Sequence, residues 1–309
     1  MPESVPAGEA AQSHRPPLRA LRLELDQRRQ KRGECAPVTG ILPTMSLLKT
    51  GQSVQSEITN QRYIVKRPLG SGGFGETYAV ARLDEVRDTE ADETCLKITS
   101  DAASWHGEAY FGGLLRGDPH VVRMIDAFPI MVGSGRAARM RFCIEMELID
   151  GGTVDDACED GRLPWPEERA HRQLRLLLQP LATLHRLGTT HRDVTPRNVF
   201  LGNRSALKLG DFGIAKTALK PAGVRADAYA PAFRPPSLGT WWSPADDVYQ
   251  AGLLGLTLCL GKPCLNTTTK WDVNQIVGRG PLRDVFKQAI GVKAQRYPDA
   301  GAMLEALKA

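Results

Sequence analysis

From residue 62 to residue 149 apolar and polar positions alternate over short stretches. RYIVKRPL (62–69), ETYAVARL (76–83), TCLKIT (94–99), VVRMIDAF (121–128) and RFCIEMELI (141–149) each have the length and two-residue period of a half-buried strand. Together they predict a small antiparallel sheet, interrupted by one helical stretch, ASWHGEAYFGGLL (103–115). Beyond residue 150 the apolar spacing lengthens to three and four. Helices are expected over PEERAHRQLRLLLQPLATLHRLG (166–188), the region 247–260, PLRDVFKQAI (281–290) and DAGAMLEALKA (299–309). The outline is α+β: a β-rich lobe over about 60–149, then a larger, mostly helical lobe over about 150–309.

Residues 1–55 lack such periodicity and are rich in Pro, Gly, Ser and Arg. They read as a flexible basic tail with one short helix over 18–32, and Met45 is an alternative start. The folded body is therefore placed at 56–309. A length of 309 residues with 42% apolar composition is enough to bury a sizeable core. The net charge of +5 comes largely from the block RALRLELDQRRQKR at 19–32, where no aromatic residue interleaves with the charges, so no nucleic-acid partner is expected. The longest apolar run, AGLLGLTLCLG (251–261), is too short to span a bilayer, and the first residues lack the apolar centre of a secretory signal; no membrane partner is expected. Six cysteines without a CxxC pair read as reduced, mostly buried thiols of a cytosolic protein.

Candidate chemistry begins at LGSGGFGETY. Gly70, Gly72 and Gly75 stand in G-x-G-x-x-G register, where missing Cβ atoms let backbone N–H groups approach a phosphate chain. The pattern alone also suits a hairpin turn; a dinucleotide site is disfavoured because a strand, not a helix, follows it. Lys97 lies inside an apolar strand one hairpin away. A buried ammonium needs a partner, and Glu108 on the following helix supplies one. Further on, HRDVTPRN (191–198) sets an acid, Asp193, and an amide, Asn198, five positions apart around Pro196, and DFG follows at 211–213.

These segments, in this order, resemble the protein kinases of eukaryotic type, most closely the bacterial Ser/Thr kinases. GSGGFGETY resembles their glycine-rich loop, Lys97 the strand-three lysine, Glu108 the glutamate of helix C, HRDVTPRN the catalytic loop and Asp211-Phe212-Gly213 the metal-binding motif. DVYQAG (247–252) resembles the start of the buried central helix, and RYPDAGAMLEAL the closing segment. The resemblance implies a bilobal fold, with a small antiparallel sheet and helix C above a helical lobe, and transfer of phosphate from ATP to protein hydroxyls. It implies that Gly70, Ser71, Gly72, Gly73, Phe74 and Gly75 cover the phosphates while Lys97 grips them. Met146 would border the adenine pocket, and the backbone of Glu147 and Leu148 would bond the base. Asp193 would take the hydroxyl proton, Asn198 and Asp211 would hold Mg²⁺ or Mn²⁺, and Arg192 would bind a phosphorylated activation segment.

Three positions depart from the family pattern. Thr195 replaces the lysine that contacts the γ-phosphate, and Arg225 is a candidate source of the missing charge. Ala230-Pro231-Ala232 lacks the glutamate of the usual A-P-E motif, so Arg296 must find another partner or solvent. The eleven-residue step from Lys97 to Glu108 is short, which trims the strand-to-helix loop. An active kinase with an altered substrate platform is the reading adopted; a nucleotide-binding scaffold and a small-molecule phosphotransferase are the alternatives.

Overall fold

The computed structural model describes residues 46–72, 75–84, 89–133, 135–218, 223–236 and 238–308. Most of the expected tail, with its helix at 18–32, lies outside them.

The alternating stretches form one six-stranded sheet. Its strands are β1 (Ser53–Gln55), β2 (Arg62–Gly72), β3 (Gly75–Asp84), β4 (Thr89–Thr99), β5 (Met124–Val132) and β6 (Arg139–Glu147), in the spatial order β1-β2-β3-β4-β6-β5. Every neighbouring pair is antiparallel. Strand β5 begins three residues later than its pattern suggested and continues through Phe128 and Ile130, whose side chains are both buried. One face packs Tyr63, Val65, Tyr78, Val80, Leu96, Ile98, Phe128 and Cys143 into a core of its own. Residues 46–55, placed in the tail by the sequence, pack against this body. Leu48 and Val54 are buried in the sheet's core, and the Leu48 N–H donates to the Tyr78 hydroxyl at 3.1 Å. Leu47, Leu48 and Val54 were the only apolar signal there, too sparse to register as a period.

Helix α1 (Ala102–Leu114) follows β4 after two residues, the second of which, Asp101, caps it by accepting from the Ala103 and Ser104 N–H groups. The helical lobe comprises α2 (Val154–Glu159), α3 (Glu167–Arg186), α4 (Pro244–Leu260), α5 (Lys270–Ile276), α6 (Pro281–Ala289) and α7 (Ala300–Ala306). Short two-stranded pairings decorate it: β7 (Thr189–Thr190) with β10 (Lys216–Thr217), β8 (Val199–Leu201) with β9 (Leu207–Leu209), and β11 (Val224–Arg225) with β12 (Trp241–Trp242).

Helix α3 runs through Pro180, which in a helix interior costs about 3 kcal/mol. Its stripe of Leu174, Leu177, Leu178, Leu181 and Leu184 is buried, and each such side chain contributes roughly 1.5–3 kcal/mol, so burial outweighs the missing donor. Helix α4 is buried on all sides from Asp246 to Leu258 and forms the axis of the lobe, capped by the Ser243–Asp246 box and ended by Gly261 at φ 76°. Short α2 and α5 had no sequence expectation; each is started by a capping box, Thr153–Asp156 and Thr269–Asp272. Among the described residues no helix is long and apolar enough to cross a membrane.

Candidate active site

The site lies where the sheet meets the helical lobe. Hairpin β2–β3 pairs Gly70 with Thr77, Ser71 with Glu76 and Gly72 with Gly75, which brings the two ends of the glycine-rich segment together. Gly75 has φ 122°, and a Cβ there would sit 2.1 Å from the Ile98 carbonyl oxygen, so only glycine fits. Gly73 and Phe74 lie outside the described residues.

Lys97 faces inward from β4, flanked by Thr77 and Ile144. Its ammonium donates to both Glu108 oxygens at 2.8 and 3.0 Å and to Asp211 Oδ1 at 2.9 Å. Burial by itself disfavours this charge, but the two carboxylates raise the Lys97 pKa above its ordinary value. Burial pushes the Glu108 carboxyl up to about 7, against the pull of Lys97. Burial works against the Asp211 charge too, yet Lys97 and the Gly213 N–H hold that carboxyl below the usual range. The short loop between β4 and α1 therefore brings Glu108 to Lys97 directly. Ser104 Oγ donates to the Gly213 carbonyl at 2.9 Å and fastens the same helix to the DFG turn. Phe212 sits in the core with Phe111 and Leu115.

The segment HRDVTPRN is held from below by α4. Asp247, wholly buried, accepts from the His191 N–H (2.7 Å), the Arg192 N–H (2.9 Å), Trp242 Nε1 (2.8 Å) and His185 Nε2 (2.9 Å). Gln250 accepts from the Val194 N–H and donates to the Arg192 carbonyl. These contacts fix Arg192 at φ 71°, a conformation L residues adopt only when it is imposed. The result is a rigid loop that presents Asp193. Its Oδ2 accepts from Asn198 Nδ2 at 2.7 Å, while its Oδ1 is shut from solvent and has no hydrogen-bond partner among the described residues. Burial, with the Asp211 charge adding to it and the Asn198 bond opposing it, pushes the Asp193 carboxyl up to about 6. Asn198 Oδ1 and Asp211 Oδ2 carry no hydrogen bond within the described residues, which leaves two hard oxygens for a cation.

Met146 lines a hollow beside this cluster with Glu108, Gly112, Val122, Met124, Ile144, Gly210, Asp211 and Phe212. The Glu147 N–H is already bonded to the Arg123 carbonyl at 3.0 Å, and its carboxylate accepts from Lys208 at 2.5 Å, so neither is free to bond a base. Thr195 is buried. Arg225 is exposed on β11 and forms no ion pair among the described residues.

Arg296 does find another partner. Its guanidinium, with no solvent exposure, donates to Asp246 Oδ1 at 3.1 Å, to the Gly291 carbonyl at 2.8 Å and to the Pro236 carbonyl at 3.2 Å, and lies 4.7 Å from the centre of the Tyr249 ring. The acid missing at Ala232 has its counterpart on α4. Asp246, Asp247, Ser104 and Gln250 were not identified from the sequence as site residues. The adjacent acids in SPADDVYQAG were the available signal, but they also suit a plain helix N-terminus.

Residues 63–298 match the sequence profile of the family described as protein kinase domain. Similar proteins include serine/threonine-protein kinase PknL of Mycobacterium bovis, 29% identical over 69% of this chain and 52% of that protein. Serine/threonine-protein kinase PEPKR2 of Arabidopsis thaliana is 28% identical over 64% of this chain and 40% of its own length. Serine/threonine-protein kinase pkn2 of Myxococcus xanthus is 32% identical over 52% and 19% respectively. The matched part thus spans about half or less of these three relatives.

Proposed function

The chain belongs to the protein kinase family, and from that premise we propose that it transfers the γ-phosphoryl group of ATP to serine or threonine hydroxyls of proteins, itself included. The observation that carries this reading is the assembled constellation: Lys97 held between Glu108 and Asp211, beside an Asp193 whose Oδ1 is buried and unbonded. A chain retained only as a scaffold has no use for that orphan oxygen, whose desolvation is a cost unless a substrate hydroxyl fills it.

In this reading Gly70, Ser71, Gly72, Gly73, Phe74 and Gly75 cover the phosphates, and Lys97 binds the α- and β-phosphate oxygens. Met146 borders the adenine, and the Glu147 carbonyl and Leu148 backbone bond it. Asp193 Oδ1 orients the acceptor hydroxyl and takes its proton as the hydroxyl oxygen forms a bond to the γ-phosphorus. The bond from that phosphorus to the β,γ-bridging oxygen breaks, and ADP leaves. Asn198 Oδ1 and Asp211 Oδ2 would hold Mg²⁺, or Mn²⁺ in its place, which supplies charge neutralisation on the phosphates. Thr195 leaves the γ-phosphate without its usual lysine, at a cost on the order of 10²–10³ in rate by analogy with losing one fixed donor.

The test is transfer of labelled γ-phosphate from Mg-ATP to the full chain and to generic basic and acidic proteins. Transfer by the wild type and its loss in Asp193→Asn are expected. ATP-dependent thermal stabilisation with no transfer would turn the reading toward a nucleotide-binding scaffold.

A further inference from the structure

Arg192 does more than precede the catalytic aspartate. Its side chain is buried and reaches across to the segment that follows DFG: Nε donates to the Ile214 carbonyl at 2.5 Å and Nη1 to the Arg225 carbonyl at 3.2 Å. Lys216 on β10 lies alongside. Two cations facing one segment make a pocket for an anion.

The pocket is filled by the chain itself. Asp227 Oδ1 accepts from Arg192 Nη1 at 2.8 Å, and Asp227 Oδ2 accepts from Lys216 Nζ at 3.3 Å. The hydroxyls that a kinase could phosphorylate are elsewhere. Between Asp211 and Pro231 only Thr217 and Tyr229 carry one. Thr217 Oγ1 is paired with Thr189 Oγ1 at 2.9 Å within the β7–β10 ribbon, and the Tyr229 ring is stacked on Trp242 with Arg234 over its face. Neither hydroxyl is bonded to Arg192 or Lys216.

We propose that Asp227 is a positioning residue that permanently occupies the Arg192–Lys216 anion pocket, so that residues 211–218 and 223–231 are held in their working form without phosphorylation. The inference rests on the kinase reading of the site and names its regulation. One carboxylate bridges the guanidinium next to Asp193 and the strand after DFG, the connection a phosphate group would otherwise have to make. Control of this protein then lies outside the segment.

The experiment uses the full chain, stripped of phosphate by a phosphatase and checked by intact mass. Phosphate-free wild type is expected to keep its full rate. Asp227→Asn is expected to lose roughly tenfold in kcat with KM for ATP unchanged, the worth of one charge-assisted bond discounted for an aspartate half exposed to water. Asp227→Glu, which keeps the charge, should recover most of the rate, a rescue that generic destabilisation would not produce; thermal melting confirms that both variants are folded. Wild type that is silent until Thr217 or Tyr229 is phosphorylated would overturn the proposal, as would an Asp227→Asn rate equal to wild type. Hydrogen exchange over 223–236 reads the same contact independently of turnover. Faster exchange in Asp227→Asn but not in Asp227→Glu supports the proposal, and unchanged exchange sinks it. Absence of transfer by wild type with the exchange difference present would remove the kinase reading alone.

Discussion

Replacing Asp246 by asparagine isolates the ion pair that takes the place of the missing A-P-E glutamate. Both partners of the Asp246–Arg296 pair have no solvent-exposed side-chain surface. The amide would still accept from the Ser243 N–H and hydroxyl, so the cap of α4 is largely kept and the charge is what is lost. Arg296 would retain two carbonyl acceptors and the Tyr249 ring, but no counter-ion except through rearrangement. Breaking a buried pair on one side typically costs about 3–5 kcal/mol because the remaining charge is left uncompensated. With a urea slope of about 3 kcal/mol per molar, at the upper end for single domains, the unfolding midpoint should fall by roughly 1 M or more. The assay is urea unfolding of wild type, Asp246→Asn, Arg296→Met and the double variant. The double variant should be less destabilised than the sum of the singles, since removing both charges ends the conflict. Lys293, which also reaches Asp246 but is one-third exposed, serves as the control; Lys293→Met should cost at most about 1 kcal/mol. A loss of under about 0.5 kcal/mol in Asp246→Asn, the scale of a surface pair, would refute the argument that this pair anchors the segment around Pro236 to the core.

Other outcomes follow from the same geometry. Because burial and Asp211 raise the Asp193 carboxyl to about 6, and the carboxylate is the form that accepts the proton, kcat/KM should fall about tenfold per unit as pH drops below 6; a pH–rate profile with its acid limb near 4 would contradict this. Lys97→Met removes the cation between Glu108 and Asp211, so transfer should drop by at least about 10² and the melting temperature should fall, read by phosphate incorporation and thermal scanning. Gly75→Ala cannot keep φ 122° and would meet the Ile98 carbonyl; KM for ATP should rise roughly tenfold or more, with the helical lobe unaffected in hydrogen exchange. Tyr63→Phe takes a hydroxyl from the buried Glu145 carboxylate and should cost about 1–3 kcal/mol in urea unfolding, without changing KM for ATP.

Much of the architecture could be read in the chain's periodicities. Period two in 62–149 and period three to four beyond 166 are local properties, set by which face of a strand or helix is buried, so they survive in the sequence. The strands, the helix over Glu108 and the long helix containing Pro180 all stand close to where those periods place them. Glycines, Lys97, Glu108, Asp193, Asn198 and Asp211 were legible for a related reason: motif spacing records the chemistry that a loop or hairpin must present. Short elements were not legible. Helices α2 and α5, of 6 and 7 residues, and the strand at 53–55 carry too few apolar positions to establish a period.

Composition and spacing by themselves determined the fold class, the two-lobed order and the set of candidate site residues. Which charges meet was decided only in three dimensions. Arg296 is 50 residues from Asp246, and Arg192 is 35 from Asp227. No local pattern encodes such pairs, because a buried charge can be satisfied by any opposite charge that the packing of the core delivers to it. Ala232 signals only that a glutamate is missing; the packing of α4 against the chain's last turns supplies Asp246 in its place. The sequence likewise offers Asp227 as one acid in an irregular segment, and only the fold, by burying Arg192 beneath that segment, makes it the counter-ion of the residue next to Asp193.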